Sequence, residues 1–172
     1  AQLAALPAPQ PIEPGMALSL SGISLILDWA EHHPRKPQRQ QSTLRIGGPR
    51  PSLDSRLIRW LKSEARVLLE EESRACAAQI GVALGRVAVG DPVSRWGSCA
   101  ASGDIRYSWR LILAPDHVRR ATVAHEVAHR IHMNHGAQFH ALVAELHGSD
   151  PAPARHWLRT HGAALHWFGR AA

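Results

Sequence analysis

With 172 residues, 45% of them apolar, the chain is long enough to bury one core, and nothing in its composition suggests two. Its two cysteines, Cys76 and Cys99, exclude a disulfide framework and neither has a CxxC partner, which points to a reducing cytoplasm. A net charge of +6 with the histidines neutral admits polyanionic partners, whereas a membrane span is not expected: the run from Met16 to Ala30 is too short, is broken by Ser19, Ser21 and Asp28, and follows no basic region.

Residues 1–15, rich in Ala, Pro and Gln, read as a flexible lead-in, and residues 16–172 as a single domain. Strands are expected over residues 24–28 and 43–46, separated by a basic, proline-containing segment. Between Arg35 and Arg66 nine Lys and Arg stand against Asp54 and Glu64 alone, an excess that would serve as a nucleic-acid footprint. A solvated basic face is the simpler reading, because Glu70, Glu71 and Glu72 follow at once and no DNA-reading motif is present.

The first long helix is expected over residues 53–80, where Leu57, Ile58, Leu61, Ala65, Leu68, Leu69, Ala75 and Ile80 recur at helical spacing and Gly81 marks the end. Strands should follow over 86–89, 94–98 and 104–113, the last two joined by the turn-rich residues 100–103. A second helix opens at Pro115-Asp116. Its apolar face, from Val118 through Ala121, Val123, Ala124, Val127 and Ala128 to Ile131, predicts a helix running on to Gly136. Helices over 139–147 and 155–168 would cover it. Trp60, Trp96, Trp109, Trp157 and Trp167 suit burial or packing better than base stacking, and Trp29 lies in a region without a readable pattern. The architecture predicted is α+β, a small antiparallel sheet packed on the long helix and on the second one.

The second helix carries His125-Glu126-Val127-Ala128-His129. At 3.6 residues per turn the two histidines share a face and can aim a ring nitrogen each at one zinc ion, while Glu126 sits close enough to reach a water on the metal without ligating it. A chain with 12 histidines makes such a pattern by accident more readily than most, so the surrounding apolar face carries part of the inference. A catalytic zinc needs a third protein ligand and an open position. His135, beside Asn134 and Gly136 where the helix should end, is the leading candidate. Glu145 on the following helix comes next and His140 third. His132 shares the face of the motif, but His125, His129 and His132 in succession along a rigid helix span about 10 Å, too far for one ion, which leaves His132 a supporting or substrate-facing role. Cys99 suits a small buried residue better than a ligand.

Arg95-Trp96-Gly97-Ser98-Cys99, Gly103-Asp104-Ile105-Arg106, the block from Trp109 to Pro115, the HExxH segment, Met133-Asn134-His135 and Phe139, taken together and in order, resemble the YgjP-like metallopeptidase family, a relative of the SprT-like and WLM proteases. The resemblance covers about residues 50–145. It implies a zincin-like domain with Zn2+ held by His125, His129 and His135 and with Glu126 as general base. The chain departs from the pattern at Ser108, Gly136 and His140, none of them a ligand or the base.

The function that follows is zinc-dependent hydrolysis of a peptide or protein substrate. Arg106, Tyr107, His132 and Arg95 are candidates for stabilising the oxyanion, although Arg95 is better placed to hold a turn, and a strand over 106–112 is a platform for extended peptide. Two other classes stay open: a basic nucleic-acid-associated zinc protein, with the SprT-like relatives suggesting a protease recruited to DNA, and a zinc domain without catalysis, closed by a fourth ligand from Glu145 or His140. The intact Glu126 speaks against the last, since a structural site needs no base.

Overall fold

The strands predicted over residues 24–28 and 43–46 are present, and residues 17–20 form a further strand that the sequence did not predict. The structure, a computed structural model, describes residues 8–170. Strands β1 (Ala17–Leu20), β2 (Ile23–Trp29), β3 (Gln38–Gln40) and β4 (Thr43–Ile46) form one sheet in the order β1-β2-β4-β3. Leu18, Leu20, Leu25, Leu27, Leu44 and Ile46 are buried on one face, Ile26 stays exposed on the other, and Ile23, at the start of β2, is exposed at the strand end. β3 falls inside the segment predicted as a spacer; all three of its residues are exposed, so it carries no apolar alternation to read. Of the lead-in expected over residues 1–15, residues 1–7 lie outside the described residues. Ile12 is buried in the core, and the amide of Gln10 donates to the carbonyl of Trp167 at 3.1 Å.

Helix α1 (Leu53–Gln79) buries Leu53, Leu57, Leu61, Ala65, Leu69, Ser73 and Ala77, a stripe with a spacing of four. Four residues advance the helix by slightly more than one turn, so the stripe winds slowly about the axis and meets successive elements. Ala75, counted on the apolar face in the sequence, is exposed. After α1 come β5 (Val87–Gly90), β6 (Gly97–Cys99) and β7 (Ile105–Ser108), which make a second sheet in the order β5-β7-β6. The remaining helices are α2 (Asp116–Ala128), α3 (Ala137–His147) and α4 (Ala152–Trp167). α1 packs on β5 and α2, while α2 packs on β6, α3 and α4.

The α+β class holds, but the single antiparallel sheet does not. There are two sheets and both are mixed: β2 pairs parallel to β4, and β5 parallel to β7. Alternation tells which face of a strand is apolar and nothing about which strand lies beside it or in which direction. The strand predicted over 104–113 also stops early. Ser108 Oγ accepts from the amide of Arg110, and residues 109–113 coil into a 3-10 turn with all five side chains buried. A short run whose apolar residues do not alternate does not distinguish strand from turn by period.

Candidate metal centre

α2 presents His125 and then ends sooner than the sequence predicts. The helix stops at Ala128 with His129 as its C-cap, and the amides of Arg130, Ile131 and His132 close onto the carbonyls of Val127 and Ala128. Ile131, expected on the buried face, is 47% exposed. His129 supplies a local reason: its Nδ1–H donates to the carbonyl of His132 at 3.0 Å, which holds the chain in a turn. That turn reverses the chain and brings His135 back onto the helix. A helix continued to Gly136 would have carried it away along the axis.

Ring nitrogens of His125, His129 and His135 lie within 4.8 Å of one another, and the Nε2 atoms of His125 and His135 are 3.2 Å apart. Two nitrogens ligating one tetrahedral zinc at its usual bond length stand about 3.3 Å apart, so the spacing suits a shared ion. With Nδ1 of His129 given to a carbonyl, Nε2 is the atom left for a metal. Burial, and after it the neighbouring His129, His135, His140 and Arg155, pushes His125 down to about 4. The ring is therefore neutral near pH 7, the state a metal ligand requires. Phe139, in the first turn of α3 and 1% exposed, packs its ring 4.7 to 4.9 Å from all three imidazoles. It forms the apolar wall against which the cluster rests.

Glu126 is 6% exposed on the side of α2 that faces β6. Burial pushes its carboxyl up to about 7, against a smaller downward pull from the charge of Arg95. β6 passes so near that a Cβ on Gly97 would lie 2.6 Å from Glu126 Oε1 and 2.7 Å from its Cγ. Only glycine lets the strand and the carboxylate approach this closely.

The other candidates fall elsewhere. Glu145 and His140 are exposed and stand outside the cluster of ring nitrogens, with the ring of His140 6.4 Å from that of His135. His132 contributes its backbone carbonyl to the site through His129. Tyr107 is fully buried and its hydroxyl lies 2.9 Å from Ser73 Oγ on α1, in the core rather than in a cleft. Arg106 is exposed and pairs across β7 with Ser98, on the face opposite to Gly97 and Tyr107, so it points away from Glu126. Cys99 is half-buried and apart from the histidines. β7 is paired on both sides and cannot accept a further strand; the free edge nearest α2 belongs to β6.

Three features of the site escape sequence reasoning: the Gly97 contact, the wall made by Phe139, and a cavity of about 230 Å³ that opens beside His125 and Glu126 between α2, α3 and α4. The Trp96-Gly97 pair in a sequence block of unusual specificity is the signal that could have pointed to the first. Of the nine cations between Arg35 and Arg66, Arg45 pairs with Asp28 at 3.2 Å, Arg50 with Glu13 at 2.9 Å and Arg66 with Glu70 at 3.8 Å. No helix among the described residues is long and apolar enough to cross a membrane.

A family model described as YgjP-like, metallopeptidase domain, matches residues 1–161. Neither the curated proteins nor the solved structures contain a match.

Proposed function

The chain belongs to the YgjP-like metallopeptidase family, and on that premise we propose that it cleaves peptide bonds of peptide or protein substrates, with zinc held by His125, His129 and His135 and with Glu126 as general base. The observation that carries the reading is the convergence of three histidine ring nitrogens beside a buried carboxylate on one helix turn. The donor set fits the ion: three imidazoles whose ring nitrogens lie within 4.8 Å of one another, the His125–His135 pair at 3.2 Å, with His129 oriented by a carbonyl and no fourth side chain from Glu145 or His140 to close the site. Bound there, zinc would supply a Lewis acid for the scissile carbonyl and a water acidified toward neutrality.

Glu126 takes the proton of the attacking water on a carboxylate oxygen and delivers it to the departing amine. Its burial raises its basicity toward the working pH, and the charge of a bound cation would draw it part of the way back. The free edge of β6 offers main-chain hydrogen bonds to an extended substrate directly beside Glu126. In this reading the domain is zincin-like and, because Ile12 belongs to its core, begins before residue 16; the two free cysteines suit a reducing compartment.

Elemental analysis of the chain prepared without chelator tests the ligand set. We expect one zinc per chain in the wild type and in Glu145→Ala, and loss of zinc in His135→Ala. Glu126→Gln should keep its zinc and lose turnover on peptides by about 100-fold or more. Full zinc in His135→Ala would reject the ligand assignment, and turnover retained in zinc-replete Glu126→Gln would reject the base.

A further inference from the structure

The cavity beside the catalytic carboxylate has no part in the chemistry described so far. His125 and Glu126 form one side of it, so whatever fills it lies next to the bond being cut. Ala121, Val143, Ala154 and Leu158 make its walls apolar, and the small side chains at 121 and 154 are what leave the space. Thr122 and Pro151 add to the lining, and the ring of Trp96 forms a further wall. That ring is fixed from behind: it stacks on His166 of α4 at 4.7 Å between centroids and 22° between planes. It also lies against Gly162, where a Cβ would come within 2.8 Å of Trp96 Cζ2. A glycine in the middle of a helix weakens the helix, and here it gives the indole its seat. The wall is therefore built and rigid, as a selective pocket requires.

Size and charge restrict the occupant. An apolar cavity of about 150 Å³ takes a benzene molecule, so about 230 Å³ admits a phenyl or isobutyl group with room to spare. Apart from His125 and Glu126, the ionisable group in the lining is Arg155, exposed on α4 at the rim. A positive charge there opposes entry of a lysine or arginine side chain.

We propose that this cavity is the pocket that sets cleavage specificity: it selects substrates with leucine, methionine or phenylalanine next to the scissile bond and, through Arg155, rejects basic residues at that position. The inference rests on the peptidase reading and adds to it the class of substrate.

The test uses the zinc-loaded full chain on a mixture of blocked peptides of random sequence, with cuts mapped by mass spectrometry, followed by kinetics on single peptides. One position beside the cut should favour Leu, Met or Phe over Gly, Ala and Lys by about tenfold or more in kcat/KM, the range that apolar pockets deliver. Leu158→Ala should move the preference from Phe toward Trp. Arg155→Glu should raise cleavage of the Lys peptide relative to the Phe peptide by about tenfold, a gain that misfolding cannot produce. Cleavage without preference, or a preference that neither variant moves, overturns the pocket while leaving the peptidase reading intact. Absence of all cleavage overturns the peptidase reading, and the pocket is then judged by binding. Shifts of the Trp96 indole NMR signal by N-acetyl-phenylalaninamide and not by N-acetyl-glycinamide would support it; equal or absent shifts would reject it.

Discussion

Gly97 stands where β6 and the carboxylate of Glu126 come closest, and the geometry leaves a methyl group no place: its Cβ would contact Oε1, Cγ and Cδ of Glu126 at 2.6 to 2.9 Å. Gly97→Ala must displace either the strand or the carboxylate. Displacement of a catalytic group by about 1 Å can cost 100-fold in rate. We expect Gly97→Ala to lower kcat by at least about tenfold, while zinc content and far-UV circular dichroism stay at wild-type levels. Unchanged kcat would show that Glu126 has freedom that the close contact denies it. Phe139 acts on the other side of the same helix turn, where its ring sets the spacing of three imidazoles at once. Neither residue has chemistry of its own, and each confines a group to which the proposed reaction assigns some.

Among the elements, α4 shapes the cleft because it carries His166, Gly162, Leu158 and Arg155, and a buried guanidinium fixes its C-terminal end. Arg110, 3% exposed, donates from Nη1 to the carbonyls of Leu165 and Phe168 at 2.6 and 2.8 Å, which satisfies the C-terminal end of the helix. Its Nε and Nη2 donate to both carboxylate oxygens of Asp91 at 2.7 and 3.2 Å. Burial raises the Asp91 carboxyl, but the hydrogen bond and charge of Arg110 outweigh it, and the net shift is downward. A folded-state value below the unfolded one means that the pair stabilises the protein fully above the ordinary aspartate range, near pH 4, and that this contribution fades as pH falls through the lowered value. Asp91→Asn should thus melt below the wild type at pH 7, and the gap in Tm should narrow as the pH is taken below about 4. A gap that is constant with pH would assign the effect to packing rather than to ionisation. α1 offers a parallel case: Ser73 sits in its buried stripe because Tyr107, 34 positions away in sequence, meets its hydroxyl.

At the scale of the molecule, the histidine cluster ties α2, the reversing turn and the start of α3 together, whereas the core built on α1 and the first sheet stands without it. Arg119, 3% exposed, joins α1 to α2 through Glu72 and Asp116, each contacted at 2.8 Å, independently of any metal. Removal of metal by a chelator should therefore lower Tm without unfolding the chain. At free zinc about 100-fold above its dissociation constant the shift corresponds to about 2.7 kcal/mol, or on the order of 5 to 10 °C for a chain of this size. Loss of helical signal on chelation at 25 °C would mean instead that the metal holds the whole fold together. Local periodicity was enough to locate the long helix, the start of α2, and the placing of His125 and His129 one turn apart with Glu126 beside them, because each of these depends on residues within a few positions of one another. Beyond that reach local period was no guide, although the motif blocks already ranked His135 ahead of Glu145. The parallel pairing of β5 with β7, the burial of Tyr107, the early end of α2, the approach of His135 and not of Glu145, and the fit of β6 against Glu126 all depend on partners distant along the chain. Only packing in three dimensions decides among such partners, since each side chain's neighbours across the core leave no mark in its own local period.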